Sequence, residues 1–386
     1  MKATISICGI LSQLCALVAV FVCVMWAIGQ VVSDRTHLTQ YMYWLATYGV
    51  LAGGLVMLLG SRVLAAVAGK REIQGKSCKY GGRARSALVI FICILAGTLV
   101  YEWKLWRGVA QLVLPRGQVA LGEVRVLHVN PAVSHFDLFA TNVAGYSPDI
   151  VCITNRPGNT DWDTLRATVG GVGAMARFMH LTVVSKYPIV RWGGTKLGVT
   201  GAKKRTFVWY QGGEISQDQG EGLFVELDSV HELGFNMVVW MLDMPSDPQL
   251  ARSKTFAQAD KTLKEFRGPV YARNKQRLDV EEAPESFPPG FPMPDVIVGD
   301  LNTPRGSWSM TQVTRGLQHA HDLAGRGPAF TWERRVPFIA IDQAFVSTRF
   351  DVQSYSTHDI GGGMHMAQVV DLSAADAQGI SASGAR

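Results

Sequence analysis

Hydrophobic and polar positions follow two different regimes along this chain. In the first, long apolar runs carry almost no charge: Ile5 to Val31, about Tyr41 to Gly60, and about Ser86 to Trp106. A helix of about 20 apolar residues crosses a bilayer core of about 30 Å, and a helix buried in a soluble core would carry a polar stripe that these runs lack. The pattern predicts three transmembrane helices, at about 5–31, 41–60 and 86–106, forming an anchor over residues 1–110. The first run is too long for the apolar region of a secretory signal and has no small-residue cleavage site.

The second regime starts near Val119 and consists of short apolar runs separated by turn residues. Val124–Val129 alternates, and Ile150–Ile153 is a buried run after Ser147-Pro148-Asp149. Strands are also predicted at His180–Ser185, Thr206–Tyr210, Leu223–Leu227, Asn236–Leu242, Val296–Val298, Phe338–Ile341 and Met366–Leu372. Helical spacing occupies about Ser134–Tyr146, Ala251–Arg267 and Ser309–Leu323. Glu281–Met293 is rich in Pro and acids and reads as a surface loop, and 374–386 as a flexible tail. Many strands with few helices argue for stacked sheets flanked by helices, here placed over residues 118–373.

Charge then orients the anchor. Lys70, Arg71, Lys76, Lys79, Arg83 and Arg85 follow the second run against the single acid Glu72, whereas the first connection is close to neutral. Basic residues stay on the cytoplasmic side. The expected topology is an N-terminus in the cytoplasm of a bacterial-type inner or plasma membrane, with the C-terminal domain outside it. The chain's net charge of +6 belongs to the anchor: residues 1–115 hold 11 Lys and Arg against 3 acids, the remainder 26 against 28. A C-terminal domain at −2 is a poor non-specific binder of DNA. Cys8, Cys15, Cys23 and Cys93 lie in the apolar runs and Cys78 in the basic loop, leaving Cys152 alone in the domain. Neither a disulfide within that domain nor a zinc site with cysteine spacing is possible there.

Candidate chemistry concentrates in Pro294–Pro304. A β-branched run ends in Gly299, and Asp300 and Asn302 follow two residues apart. In extended chain, both would point to the same side. One accepts a proton and the other donates a hydrogen bond, which suits water attacking a phosphate. The other reading of these residues is a strand followed by an Asx turn before Thr303-Pro304.

The order of several short motifs resembles the endonuclease/exonuclease/phosphatase superfamily, the fold of deoxyribonuclease I-like nucleases, sphingomyelinases and inositol polyphosphate phosphatases. The motifs are Leu127-His-Val-Asn130, Tyr146-Ser-Pro-Asp-Ile-Val151, Val184-Ser-Lys-Tyr-Pro-Ile189, Gly299-Asp-Leu-Asn302, Thr331-Trp332, Ile341-Asp342 and Gly363-Met364-His365, spanning about Val124 to Leu372. The resemblance implies an α/β fold of two packed, mostly antiparallel sheets flanked by helices, a four-layer sandwich. It implies that Asp300 orients or deprotonates water, Asn302 stabilises the developing oxyanion, and His365, oriented by Asp342, binds the scissile phosphate. Asn130 would order the nucleophile or a Mg²⁺ or Mn²⁺ ion.

Departures from the family pattern are as informative. The family's metal-binding Glu falls on Asn155, which supplies an amide oxygen but no charge. Asp243 falls near the family's strand His, Met364 replaces the Asp before the terminal His, and Gln343 follows Asp342. Asn155 and Asp243 are therefore the expected remaining metal ligands. The implied activity is hydrolysis of a phosphodiester or phosphomonoester, the alternative being an inactive module that binds a phosphate ligand. Nucleic acid, a phospholipid head group and a small phosphoester all fit as substrate, and no obligatory protein partner is readable.

Overall fold

The computed structural model describes residues 2–45, 47–70, 96–97, 100, 124–132, 135–170, 174–201, 218–272, 281–282 and 288–375. These fall into two units, Met1–Val113 and Leu114–Arg386.

In the N-terminal unit, α1 (Lys2–Val32), α2 (His37–Trp44) and α3 (Thr47–Lys70) are helical. Thr36 caps α2 by accepting from the Thr39 amide, with the Thr39 hydroxyl accepting from the Thr36 amide in return. Ser12 and Ser61 join α1 to α3, each hydroxyl donating to the other's carbonyl at 2.9 Å, and the Trp26 indole donates to Thr47 Oγ1 at 3.2 Å. Such pairs hold apolar helices together where the surroundings offer no competing partner. Among the described residues, one helix, Ile10–Val32, is long and apolar enough to cross a membrane; His37–Trp44 and Gly49–Leu64 pass only as a pair bent by 69°. The expected second span is thus split: α2 ends at Trp44, with Leu45 at ψ 113°, and α3 begins at Thr47. The third expected span, 86–106, lies outside the described residues apart from 96–97 and 100.

The C-terminal unit contains β1 (Val124–Val129), β2 (Ile150–Ile153), β3 (Ala174–Phe178), β4 (Leu181–Ser185), β5 (Ile189–Lys196), β6 (Glu221–Leu227), β7 (Met237–Asp243), β8 (Val270–Ala272), β9 (Glu281–Glu282), β10 (Val296–Asp300), β11 (Gln318–His319), β12 (Asp342–Val346), β13 (Phe350–His358) and β14 (Ala367–Ala374). They form two mixed sheets, ordered β13-β14-β1-β2-β4-β3 and β11-β12-β10-β7-β6-β5-β8-β9. Each has one parallel pair, β1–β2 and β7–β10, amid antiparallel neighbours.

Period-2 alternation builds the layers. Val126, Ile150, Val183, Val239, Met241, Val296 and Val298 fill the space between the sheets. Their neighbours Trp240, Leu242 and Ile297 face outward to Phe256, Ala259 and Leu263 of helix Arg252–Glu265. Leu127, Val129, Val151 and Ile153 likewise pack on Phe139, Ala140 and Val143 of helix Phe139–Ala144 and Leu165 of helix Trp162–Thr168.

Several expected elements differ. Phe338–Ile341 is not a strand: only Ile339 bridges, to Trp332, and the paired segment is the following Asp342–Val346. Its polar first residues conceal it in the sequence. Ser309–Leu323 is not one helix but a 3₁₀ turn (Trp308–Gln312), β11 and the short helix Ala320–Ala324. Arg315 and Gly316 break it with φ of 54° and 82°. Only Phe139–Ala144 of the helix expected over Ser134–Tyr146 forms, Glu281–Glu282 of the expected loop is β9, and Thr206–Tyr210 lies outside the described residues. Strands β3, β5, β8 and β13 were not anticipated.

Gly299 has φ 153°, and a Cβ there would stand 1.9 Å from the Leu242 carbonyl oxygen. The close approach of β10 to β7 therefore requires glycine. Gly299→Ala is expected to lower stability by about 2 kcal/mol or more, read as a drop in the thermal midpoint of the C-terminal unit.

Candidate functional site

The topology brings four chain ends to one edge of the sandwich. Asn130 follows β1, Asp300 ends β10, Asp342 opens β12, and His365 precedes β14. Asp300 and Asp342 face each other directly across the antiparallel β10–β12 pair. The Asp300, Asp342 and His365 ligand atoms lie within 4.8 Å of one another, all three residues being buried.

Each side chain is tied down. Asn130 Nδ2 donates to Asp300 Oδ2 at 2.8 Å, and the Asn302 amide donates to Asp300 Oδ1 at 3.0 Å. His365 Nδ1 lies 2.7 Å from Asp342 Oδ2. Ionised carboxylates only accept, so Nδ1 carries the proton and Nε2, which has no hydrogen bond among the described residues, is the imidazole's working end. Thr331 Oγ1 accepts the Asp342 amide at 3.1 Å.

Electrostatics follow from crowding two carboxylates into a buried space. Burial, then the Asp342 charge, pushes the Asp300 carboxyl up to about 7. Burial disfavours the imidazolium of His365, but the Asp342 charge and hydrogen bond outweigh it and hold the group up to about 9. Burial opposes ionisation of Asp342 too, yet His365 holds it below the usual carboxylate range. The pair is an ion pair, with Asp300 beside it as the group that readily changes protonation.

Two of the expected residues stand differently. Asn302 is not in extended chain on the side of Asp300: its φ is 47°, and its Nδ2 donates to the Met244 carbonyl at 2.7 Å. The strand ends at Asp300, and an Asx turn takes over, so the turn and the carboxylate site are the same few residues. Asp243 ends β7, half-buried and outside the three-residue cluster. Burial, then Asp300, raises its carboxyl well above the ordinary range. Asn155, just beyond β2, has φ 49° and lies next to Thr154, whose amide donates to the Val129 carbonyl. Met364 occupies the turn before His365, its amide donating to the Pro131 carbonyl at 3.0 Å.

Among the described residues, no donor reaches two buried acceptors at this edge, Asn130 Oδ1 and Asp342 Oδ1. A hard divalent cation takes such oxygens, so the residues present fit one.

A polar network that sequence reasoning missed braces the cluster from behind. Gln368 Nε2 donates to the Asp342 carbonyl at 3.0 Å and to Tyr355 OH at 2.8 Å; its Oε1 faces His128 Nδ1, and His128 Nε2 faces Thr154 Oγ1. Gln343 Nε2 donates to the carbonyls of Thr303 and Ala340, and its Oε1 meets His319 Nε2 at 2.8 Å. His319 Nδ1 accepts the His321 amide, so the proton sits on Nε2 and the ring is neutral. The available signal was polar residues, His128, Gln343 and Gln368, inside otherwise apolar strands.

A family model described as Endonuclease/Exonuclease/phosphatase family matches residues 127–374. The chain belongs to that family. Among solved structures, it is similar to a protein of unknown function from Enterococcus faecalis V583, with a TM-score of 0.44 and 14% identity over 65% of this chain and 100% of that one. An endonuclease/exonuclease/phosphatase from Beutenbergia cavernae DSM 12333 gives 0.40 and 17% over 65% and 71%. D. rerio TDP2, complexed with a single strand DNA product, gives 0.41 and 11% over 64% and 98%. No curated protein matches the chain. The family assignment agrees with the two mixed sheets flanked by helices, in which Asp300, Asp342, His365 and Asn130 share one edge.

The neutral, fully bonded His319 supplies a test of the bracing network. Burial pushes it down to about 3, below its ordinary value of 6.5. Its contribution is therefore complete above pH 6.5 and lost progressively as pH falls toward 3, at up to about 1.4 kcal/mol per pH unit. The stability advantage of wild type over His319→Gln should shrink between pH 7.5 and 5, measured by thermal unfolding.

Proposed function

We propose that this chain is a membrane-anchored, divalent-metal-dependent hydrolase of phosphoester bonds. The observation that carries the reading is the buried Asp300–Asp342–His365 cluster with Asn130 donating to Asp300. In this reading, Asp300 takes the proton of the attacking water, since a base near neutral pH combines the right protonation state with enough basicity. Asn130 and the Asn302 amide hold its carboxylate in place. The His365 imidazolium, fixed through Nδ1 by Asp342, presents Nε2–H to a phosphoryl oxygen on which charge develops. Asn302, with one amide hydrogen on Met244, has the other for the same oxyanion.

Asn130, Asp342 and Asn155 would hold the cation, with Asp243 at the neighbouring strand end as a further carboxylate. When bound, Mg²⁺ or Mn²⁺ supplies Lewis-acid stabilisation of the phosphoryl oxygens. With Asn155 in place of the family's Glu and Met364 in place of its Asp, the site is degenerate and cation binding is weak. These same substitutions favour a second reading, a phosphate-binding module without turnover. Ile10–Val32 and the bent pair His37–Trp44 with Gly49–Leu64 would form two spans, which places the N-terminus and the basic loop after Lys70 on the same side, in the cytoplasm of an inner or plasma membrane.

Full-length protein in detergent should hydrolyse bis(4-nitrophenyl) phosphate or DNA with Mg²⁺ or Mn²⁺ and stop with chelator. Asp300→Asn and His365→Gln are each expected to lower kcat/KM about 10²-fold or more. The pH profile should be bell-shaped: activity rises as Asp300 ionises, at or below about 7, and falls as His365 deprotonates near 9. Turnover that survives both substitutions sinks the assigned site. Phosphate binding without any turnover selects the module.

A further inference from the structure

Two arginines near this edge share one aromatic ring and have no ion pair with a described residue. Arg156 follows Asn155 directly, beyond the end of β2, and Arg177 lies on edge strand β3. The register places Arg177 opposite Thr182 of β4, and Thr182 opposite Ile153 of β2, so both arginines reach the strand ends that carry Asn130 and Asn155. At about 4.8 Å between strands, they stand roughly 5 to 15 Å across the sheet from Asn130.

Both guanidiniums sit on one aromatic ring: Arg156 Cζ is 5.8 Å and Arg177 Cζ 5.1 Å from the Trp162 ring centroid. Neither makes an ion pair with a described residue, and Arg156 Nε is buried with no hydrogen-bond partner. The nearby carboxylates are engaged elsewhere. Asp161 caps helix Trp162–Thr168 through the Thr164 amide and hydroxyl, and Asp163 faces Arg166 at 3.8 Å. Burial, then the Arg156 charge, lowers the Arg177 guanidinium. Several other arginines in this domain meet acids directly, as Arg125 meets Asp371 at 2.7 Å and Arg305 meets Asp322 at 2.7 Å. Two like charges that meet one aromatic ring and pair with no described acid suit an external anion.

We propose that Arg156 and Arg177, positioned on Trp162, form a subsite for a second phosphate of the substrate, next to the one under attack. The substrate class is then a phosphoester with a neighbouring phosphate group, whether in a polynucleotide backbone or in a small bisphosphorylated molecule. This deepens the reading of the site as a phosphoesterase and rests on it.

The test is equilibrium binding to the full-length chain carrying Asp300→Asn, so that no probe is consumed and turnover is not needed. The probes are inorganic phosphate, a fluorescein-labelled single-stranded DNA tetranucleotide and an inositol bisphosphate. Adding Arg156→Gln or Arg177→Gln should weaken at least one of the two multiply phosphorylated probes about 10-fold more than inorganic phosphate, and Lys261→Gln, an exposed charge on helix Arg252–Glu265, should not. The probe most affected names the source. Equal losses for all probes, an equal loss with Lys261→Gln, or no loss overturns the subsite. Because binding is read without catalysis, a chain that binds with this selectivity but never turns over refutes the hydrolase and keeps the subsite.

Discussion

Two carboxylates placed directly opposite each other at a buried sheet end are the constraint on which the site depends. Cross-strand like charges destabilise a sheet, and burial magnifies the effect. Asp300 and Asp342 occupy such positions on β10 and β12. The fold accommodates them by giving each a different partner. Asp342 receives the His365 imidazolium, whereas Asp300 receives only neutral donors from Asn130 and Asn302. One carboxylate is thereby held ionised, and the other is left with its proton in balance.

That division of roles needs groups from both sheets. Asn130 and His365 belong to the strand ends of one, Asp300 and Asp342 to those of the other. Each sheet has one parallel pair, so strand ends that lie far apart in sequence emerge at one edge. The buried glutamines explain how the edge stays rigid. Gln368 and Gln343 hold main-chain carbonyls of Asp342, Ala340 and Thr303, fixing the backbone on both flanks of the carboxylates. A fully satisfied polar network of this kind rigidifies a core that apolar packing alone would leave adaptable.

The legible part of the fold is where local pattern and tertiary role agree. Val124–Val129, Ile150–Ile153 and Val296–Val298 alternate or run apolar because both faces are buried, and they appear as strands. Asp342–Val346 was hidden because its first two residues are the polar ones that face the site and the network. Ser309–Leu323 has helical spacing, but the positive φ values at Arg315 and Gly316 divide it. The N-terminal unit shows the same limit: apolar composition marks the region, while the division into α2 and α3 is visible only in the fold.

By itself, the sequence determined the two regimes of the chain and the alternation that fills three apolar layers, while the resemblance of its motif order to a family pointed to Asn130, Asp300, Asp342 and His365. Those properties are local, being written in residue type, spacing and order. Only the tertiary structure decided which carboxylate is paired, that Asn302 turns back to Met244, that Asp243 stands outside the cluster, and that Arg156 and Arg177 share one ring. Each of these depends on distances across strands between residues far apart in the chain, and on burial that raises or lowers a charge according to what lies beside it.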